Sequence, residues 1–172
     1  YCNVADIVDE EVLDASPNRR AIGTISVGYD HIDLQAARER GIAVGHTPGV
    51  LAETTADLGW ALLMAGARRI VEAHGQVRDG EWKTWGPTVL LGRDVHEATL
   101  GVVGLGRIGT EFARRAAGFD MDVLYSHTGP NEEAEADLAE YGIDAEYCDL
   151  EALLDRADFV SLHVPLREET HH

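Results

Sequence analysis

Lysine is almost missing from this 172-residue chain: Lys83 is the single one, and 14 basic residues face 31 acidic ones, a formal net charge of −17. That deficit excludes a basic stripe able to displace counterions from nucleic-acid phosphates. Cysteine is scarce as well. Cys2 and Cys148 lie far apart with no CxxC or Cys/His spacing around them, which argues against a disulfide framework and a metal site and fits a reducing, cytoplasmic setting. Long hydrophobic runs are absent too. The longest, Leu58 to Ala67, is about half of what a membrane span needs, and no signal-peptide pattern is visible. The chain begins on Tyr1 without an initiator Met and stops at Glu169-Thr170-His171-His172 without a helix stop, so it reads as a piece of a longer protein.

The acid excess gathers in Asp6 to Asp14, Glu132 to Glu140 and Asp144 to Asp155, on segments that read as solvated helix faces. Such a surface is tolerable where salt screens self-repulsion, and adaptation to high salt is the expectation. A hydrophobic content of 45% is ample for a core.

The stretch from Thr99 to Thr110 organises the rest. A β-branched run, Val102-Val103, leads into Gly104-x-Gly106-x-x-Gly109, and a helical spacing follows at once in Ile108, Phe112 and Ala116. Strand, tight turn and helix in that order form a dinucleotide-binding fingerprint. Gly104 allows the sharp turn, Gly106 lets a pyrophosphate approach the backbone, and Gly109 lets helix and strand pack closely. The anion then rests on free N–H groups at the helix N-terminus.

Before this turn, a short helix with Val8, Val12 and Leu13 on one side precedes a buried strand, Ala21 to Ile25. That strand delivers the loop Ser26 to Asp30 at its C-terminal end, where ligands of open α/β sheets gather. Asp33 caps a helix from Leu34 to Arg40, closed by Gly41, and Ile42 to Val44 forms another strand. One long helix is predicted from Leu51 to about Gln76. Its two apolar rows, Leu58/Leu62/Ala65 and Trp60/Leu63/Met64/Ala67/Val71, predict burial on several sides, as between two domains. Glu81 to Glu97 has no period but carries Trp82 and Trp85, an arm expected to cover a partner.

Beyond the glycine turn, strand and helix alternate. Asp122 to Tyr125 is a strand, Asn131 caps a helix with Ala134, Leu138 and Tyr141 on one face, and Asp144 to Cys148 is a short strand. Asp149 caps a helix ending near Arg156, and Phe159 to Val164 is the last strand. The fold class is therefore α/β: a doubly wound, parallel Rossmann-type sheet, here incomplete.

These residues resemble a family. Ser26-Val27-Gly28-Tyr29-Asp30, Thr47-Pro48-Gly49-Val50-Leu51 with Thr55-Ala56-Asp57, the glycine signature, and His163-Val164-Pro165-Leu166 with Thr170 are similar to the D-isomer-specific 2-hydroxyacid dehydrogenases. The segment Gly80 to Pro87 looks most like the glyoxylate and hydroxypyruvate reductase branch. The resemblance implies a flavodoxin-like substrate domain, of which residues 1–47 are the end. Residues 48–97 would be the interdomain helix and dimerisation arm, and 98–172 the first half of the nucleotide domain, with the active site in the cleft.

Carried over position by position, the resemblance makes Val27 and Gly28 backbone donors to the substrate carboxylate. Trp85 would reach the substrate cleft of a second subunit. Gly104, Leu105, Gly106, Arg107, Ile108 and Gly109 would hold the pyrophosphate, Val164 and Pro165 would line the nicotinamide ribose, and Thr55 and Thr170 would add polar contacts. An NAD enzyme usually places a carboxylate after the second strand. Ser126, His127 and Thr128 stand there instead, so NADP is favoured over NAD. The implied activity is hydride transfer between NAD(P)H and a small 2-keto acid, giving the D-2-hydroxy acid, in a homodimer formed through the long helix and the Trp82 to Pro87 arm. Two alternatives stay open: a non-catalytic, nucleotide-sensing relative similar to corepressors, and a phosphoglycerate-type dehydrogenase of the same family. The family's catalytic arginine, glutamate and histidine fall beyond this chain, so no catalytic residue is assigned in it. His31, His163, His171 and His172 match none of the family's catalytic motifs.

Overall fold

The computed structural model describes residues 1–165 and Thr170. Leu166 of the last motif and the His171-His172 pair lie outside the described residues. The chain divides into two compact units, Tyr1–Leu51 and Ala52–His172. The second unit thus includes most of the predicted interdomain helix and the whole tryptophan arm.

The first unit contains α1 (Glu10–Asp14), β1 (Ala21–Gly23), α2 (Leu34–Glu39) and β2 (Ala43–Gly45). β1 and β2 pair in parallel, with Ile22 opposite Val44. Carboxylates start both helices: Asp9 accepts from the Val12 N–H at 3.0 Å and Asp33 from the Ala36 N–H at 2.8 Å, satisfying donors that a first helical turn leaves open. Val8, Leu13, Ile22, Ile32, Ala36, Ala37 and Ile42 form the core. Two expectations fail here. Val8 lies before α1, in a parallel bridge with Ile32, and Val12 is exposed, because a five-residue helix presents only Leu13 inward. Strand β1 also ends earlier than predicted, at Gly23, and Ile25 is exposed.

The second unit begins with α3 (Ala52–Ala67) and α4 (Ile70–Arg78). A single helix is predicted here, yet the chain breaks at Arg69, which adopts a left-handed conformation with φ 53°. The Ala67 carbonyl, which an unbroken helix would commit to Val71, accepts instead from the Arg93 N–H at 2.8 Å. The returning arm therefore caps the end of α3. A Cβ on Gly92 would stand 2.2 Å from that same carbonyl, so only glycine allows the approach.

The sheet holds β3 (Thr99–Val103), β4 (Asp122–Ser126), β5 (Ala145–Tyr147) and β6 (Phe159–Leu162), all parallel, in the order β5-β4-β3-β6. Between them run α5 (Arg107–Arg114) with a 3₁₀ extension to Phe119, α6 (Glu132–Ala139) and α7 (Leu150–Arg156). Alternate residues of β3 serve opposite faces. Leu100 and Val102 enter a core with Val123, Tyr125, Phe112 and Trp60. On the other face, a Cβ at Gly101 would stand 2.6 Å from Leu153 of α7, so that helix lies directly against the strand backbone.

Trp60 joins α3 to α5. Its indole N–H donates to the Phe112 carbonyl at 2.7 Å, and its ring stacks on Phe119 with centroids 4.8 Å apart. Arg115 pairs with Asp57 and donates to the Glu53 carbonyl at 3.0 Å, making a second tie between the helices. The other predicted row of α3 is not covered: Leu58 and Leu62 are 61% and 65% exposed. Both line an open cavity with Val160 and Leu162 of β6, because the Trp60 face alone meets the sheet. Tyr141 likewise falls beyond the end of α6 and is exposed, with the Arg114 guanidinium 4.6 Å from its ring centre. Replacing Trp60 by Phe should keep the stack and remove one buried hydrogen bond. The expected cost is about 1–2 kcal/mol, seen as a lower urea midpoint at unchanged slope, and Trp60→Ala should cost about 3–5 kcal/mol.

Candidate nucleotide and carboxylate sites

In the parallel sheet the chain runs outward from β3 to β4 and β5, then returns through α7 to β6 on the other side of β3. The order therefore reverses between β3 and β6, and ligands of such sheets bind at the C-terminal ends of the strands at that reversal. The glycine turn sits there. Its three glycines meet three different demands. Gly104 has φ 96°, and a Cβ on it would be 2.7 Å from the His163 carbonyl and 2.8 Å from Val164, so the turn lies against the end of β6. Gly109 packs on the turn itself: its Cβ would be 2.1 Å from the Gly104 carbonyl. Gly106, the N-cap of α5, has nothing within 4 Å of that position. The fold requires glycine at 104 and 109 and leaves an open side at 106, which is where a pyrophosphate must come close.

Neighbouring elements fix the turn. The Gly104 N–H donates to the Ser126 carbonyl at 2.8 Å, bringing the end of β4 to it, and the His163 N–H donates to Val103 at 2.7 Å. Thr110 donates its hydroxyl back to the Gly106 carbonyl at 2.9 Å. The side chain of Asn131, which the sequence predicts only as a helix cap, donates to the Leu105 carbonyl at 2.7 Å. Its backbone N–H donates to the buried Tyr125 hydroxyl at 2.9 Å, and that hydroxyl donates to Glu135. Burial first, and then the Glu135 hydrogen bond, push the Tyr125 phenol above its ordinary range, so it stays neutral. Because a trans peptide holds its C=O and N–H in opposite directions, anchoring Leu105 O on Asn131 turns the Gly106 N–H away from Asn131.

The predicted cofactor residues thus divide. Gly104, Leu105, Gly106, Gly109, Ser126 and Val164 meet around the turn, with exposed Arg107 and partly buried Ile108 opening α5. His127 and Thr128 follow Ser126 directly, and none of the three carries an acid. Pro165 follows Val164 and accepts from the Thr170 hydroxyl at 2.7 Å. Thr55 is exposed on α3, where it lines a cavity of about 690 Å³ with Phe112 and His163. The end of β6 borders that cavity through His163, and none of the turn glycines does. Trp85 is 77% exposed. In the first unit, Val27 and Gly28 form the loop after β1, and a Cβ on Gly28 would meet only Asp30 Oδ2, at an ordinary 3.6 Å. No cluster of His, Cys, Asp and Glu among the described residues has the geometry of a metal site, and no described helix is long and apolar enough to cross a membrane.

A parallel α/β sheet with a glycine turn at its point of reversal defines a Rossmann-type dinucleotide-binding domain. Residues 60–172 match the family model described as "D-isomer specific 2-hydroxyacid dehydrogenase, NAD binding domain". The chain belongs to that family. It is 53% identical over 170 residues to a glyoxylate reductase of Korarchaeum cryptofilum, covering 98% of this chain and 50% of that protein. Among solved structures, a protein from Thermus thermophilus matches with a TM-score of 0.89 at 50% identity, over 98% of this chain and 51% of that one. The D-lactate dehydrogenase of Aquifex aeolicus, complexed with NAD and lactic acid, matches with a TM-score of 0.84 at 35% identity, over 99% and 49%. The chain spans about half the length of these relatives.

Two outcomes are expected. Gly106→Ala should leave the melting temperature within a degree or two while weakening dinucleotide binding, whereas Gly109→Ala should lower stability by about 2 kcal/mol or more; calorimetry of both variants checks the contrast. His163, at the end of β6, lies beside Phe112 and 2.9 Å from the Ser161 hydroxyl. Burial holds its pKa below the ordinary 6.5. The unfolded chain therefore takes up this proton first as pH falls. The stability that neutral His163 contributes is present above 6.5 and is lost as pH drops through the lower folded value. His163→Gln should lose less unfolding free energy between pH 7 and pH 5 than the wild type, and equal losses would count against this.

Proposed function

We propose that this chain carries the dinucleotide turn and the carboxylate loop of an NAD(P)-dependent D-2-hydroxyacid dehydrogenase. The substrate is a small 2-keto acid, glyoxylate or hydroxypyruvate. The observation that carries this reading is the open side of Gly106 at the sheet's point of reversal, in a chain about 50% identical to glyoxylate reductases. The bound dinucleotide would supply the hydride for the keto carbon.

The chain's own residues bind and orient. Gly106, Arg107 and Ile108 open α5, and their N–H groups suit a pyrophosphate at the positive end of the helix. Val164 and Pro165 line the nicotinamide ribose side, Thr55 and Thr170 add polar contacts, and Val27 and Gly28 hold the substrate carboxylate through N–H donors. The absence of a carboxylate at Ser126, His127 and Thr128 removes repulsion against a 2′-phosphate, which supports NADP over NAD. No described residue is assigned as the proton donor.

Exposed Trp82 and Trp85, together with the bare Leu58 and Leu62 row, support a homodimer formed through α3, α4 and the arm. The setting we assign is cytoplasmic. In the full-length protein, glyoxylate should be reduced with a lower KM for NADPH than for NADH. Steady-state kinetics with both cofactors check this. Equal or reversed KM values would overturn the cofactor preference. Dinucleotide binding with no turnover of any 2-keto acid would point instead to a nucleotide-sensing, corepressor-like role.

A further inference from the structure

The loop that carries Val27 and Gly28 is held by its carbonyl groups, one after another. Ser26 O accepts from the Thr47 N–H at 3.0 Å. Val27 O lies 2.9 Å from His46 Nδ1, and because a carbonyl can only accept, Nδ1 carries the hydrogen. Gly28 O accepts from the Ser26 hydroxyl at 2.7 Å. Ser26 is itself buried and lies 2.6 Å from the Thr24 hydroxyl, which in turn is 3.1 Å from His31 Nε2. All three anchors belong to the first unit.

Among the described residues no peptide bond is cis. In a trans peptide the C=O and the following N–H point in opposite directions. Tying Ser26 O to Thr47 therefore turns the Val27 N–H away from that anchor, and tying Val27 O to His46 does the same for Gly28. Among the described residues, neither N–H donates to a protein acceptor. An unpaired N–H next to a paired carbonyl is a donor set in advance. A loop held in this way spends less ordering entropy when an anion arrives.

From this we infer that His46 is a positioning residue for the substrate carboxylate: its Nδ1–H fixes the Val27–Gly28 peptide so that the Gly28 N–H meets the ligand. The Ser26 hydroxyl holds the following carbonyl in the same way. Tyr29 braces the imidazole edge-on, with ring centres 5.2 Å apart at 88°. The inference rests on the carboxylate role proposed for Val27 and Gly28.

His46 is exposed, so its substitution leaves the core intact. His46→Phe keeps a ring against Tyr29 and loses the donor. His46→Asn places an amide N–H at the same δ position and restores it. In the full-length protein, oxamate, an unreactive carboxylate analogue of glyoxylate, is titrated calorimetrically into wild type and both variants, and glyoxylate kinetics are measured alongside. His46→Phe should weaken oxamate binding and raise the glyoxylate KM about fivefold to tenfold. The KM for the dinucleotide and kcat should stay within about twofold of wild type, and His46→Asn should recover most of the loss.

Unchanged oxamate affinity in His46→Phe, no recovery in His46→Asn, or no oxamate binding by the wild type would overturn the inference. Loss and recovery of oxamate binding in a wild type that reduces no 2-keto acid would leave the inference standing and remove the proposed reaction. Wild-type turnover with all three proteins binding oxamate alike would do the reverse.

Discussion

The second unit depends on one close approach: the first turn of α5 lies so near the end of β3 that a single methyl group at Gly109 would overlap the Gly104 carbonyl. That approach sets the angle at which α5 leaves the sheet. Phe112 is then carried into the core, its carbonyl meets the Trp60 indole, and Arg115 reaches back to Asp57 on α3. The same approach leaves the N-terminus of α5 bare at Gly106. Packing and the proposed binding thus rest on the same three glycines, with glycine demanded by the fold at 104 and 109 and left open at 106.

Both sites use the same device. At the glycine turn the Leu105 carbonyl is held by Asn131, and at the loop proposed for the substrate carboxylate the carbonyls of Ser26, Val27 and Gly28 are held by Thr47, His46 and Ser26. In each case the protein grips the acceptor end of a peptide and leaves the donor end free. Planarity of the peptide converts a hydrogen bond on one side into a fixed direction on the other. The cost is modest, since a carbonyl at a loop would otherwise be hydrogen-bonded to water.

The fold was readable because its strongest signals are local. The strand, Gly104-x-Gly106-x-x-Gly109 and amphipathic helix follow one another in twelve residues, and Asp33, Asn131 and Asp149 each cap the helix that the spacing announces. What could not be read depends on partners distant in sequence. The break has no glycine or proline at Arg69 itself, and there Arg93, far along the chain, takes the Ala67 carbonyl. Leu58 and Leu62 share the periodicity of buried residues, but periodicity does not say which of two apolar faces the sheet will take. Asn131 was legible as a cap, while its hydrogen bond to Leu105, and that of His46 to Val27, required loops 26 and 19 residues away to be in place.

The net charge of −17 gives these oriented N–H groups their importance. A chain this acidic repels anions at long range, yet both proposed ligands are anionic. Salt shortens that repulsion to a Debye length of about 8 Å at physiological ionic strength, while dipoles at hydrogen-bonding distance keep their strength because no screening ions stand between donor and acceptor. Backbone donors also add no charge to a surface that has a single lysine. Recognition by fixed N–H groups, as proposed, therefore separates the two scales: the surface charge acts at long range in solution, and the held peptides act at hydrogen-bonding distance.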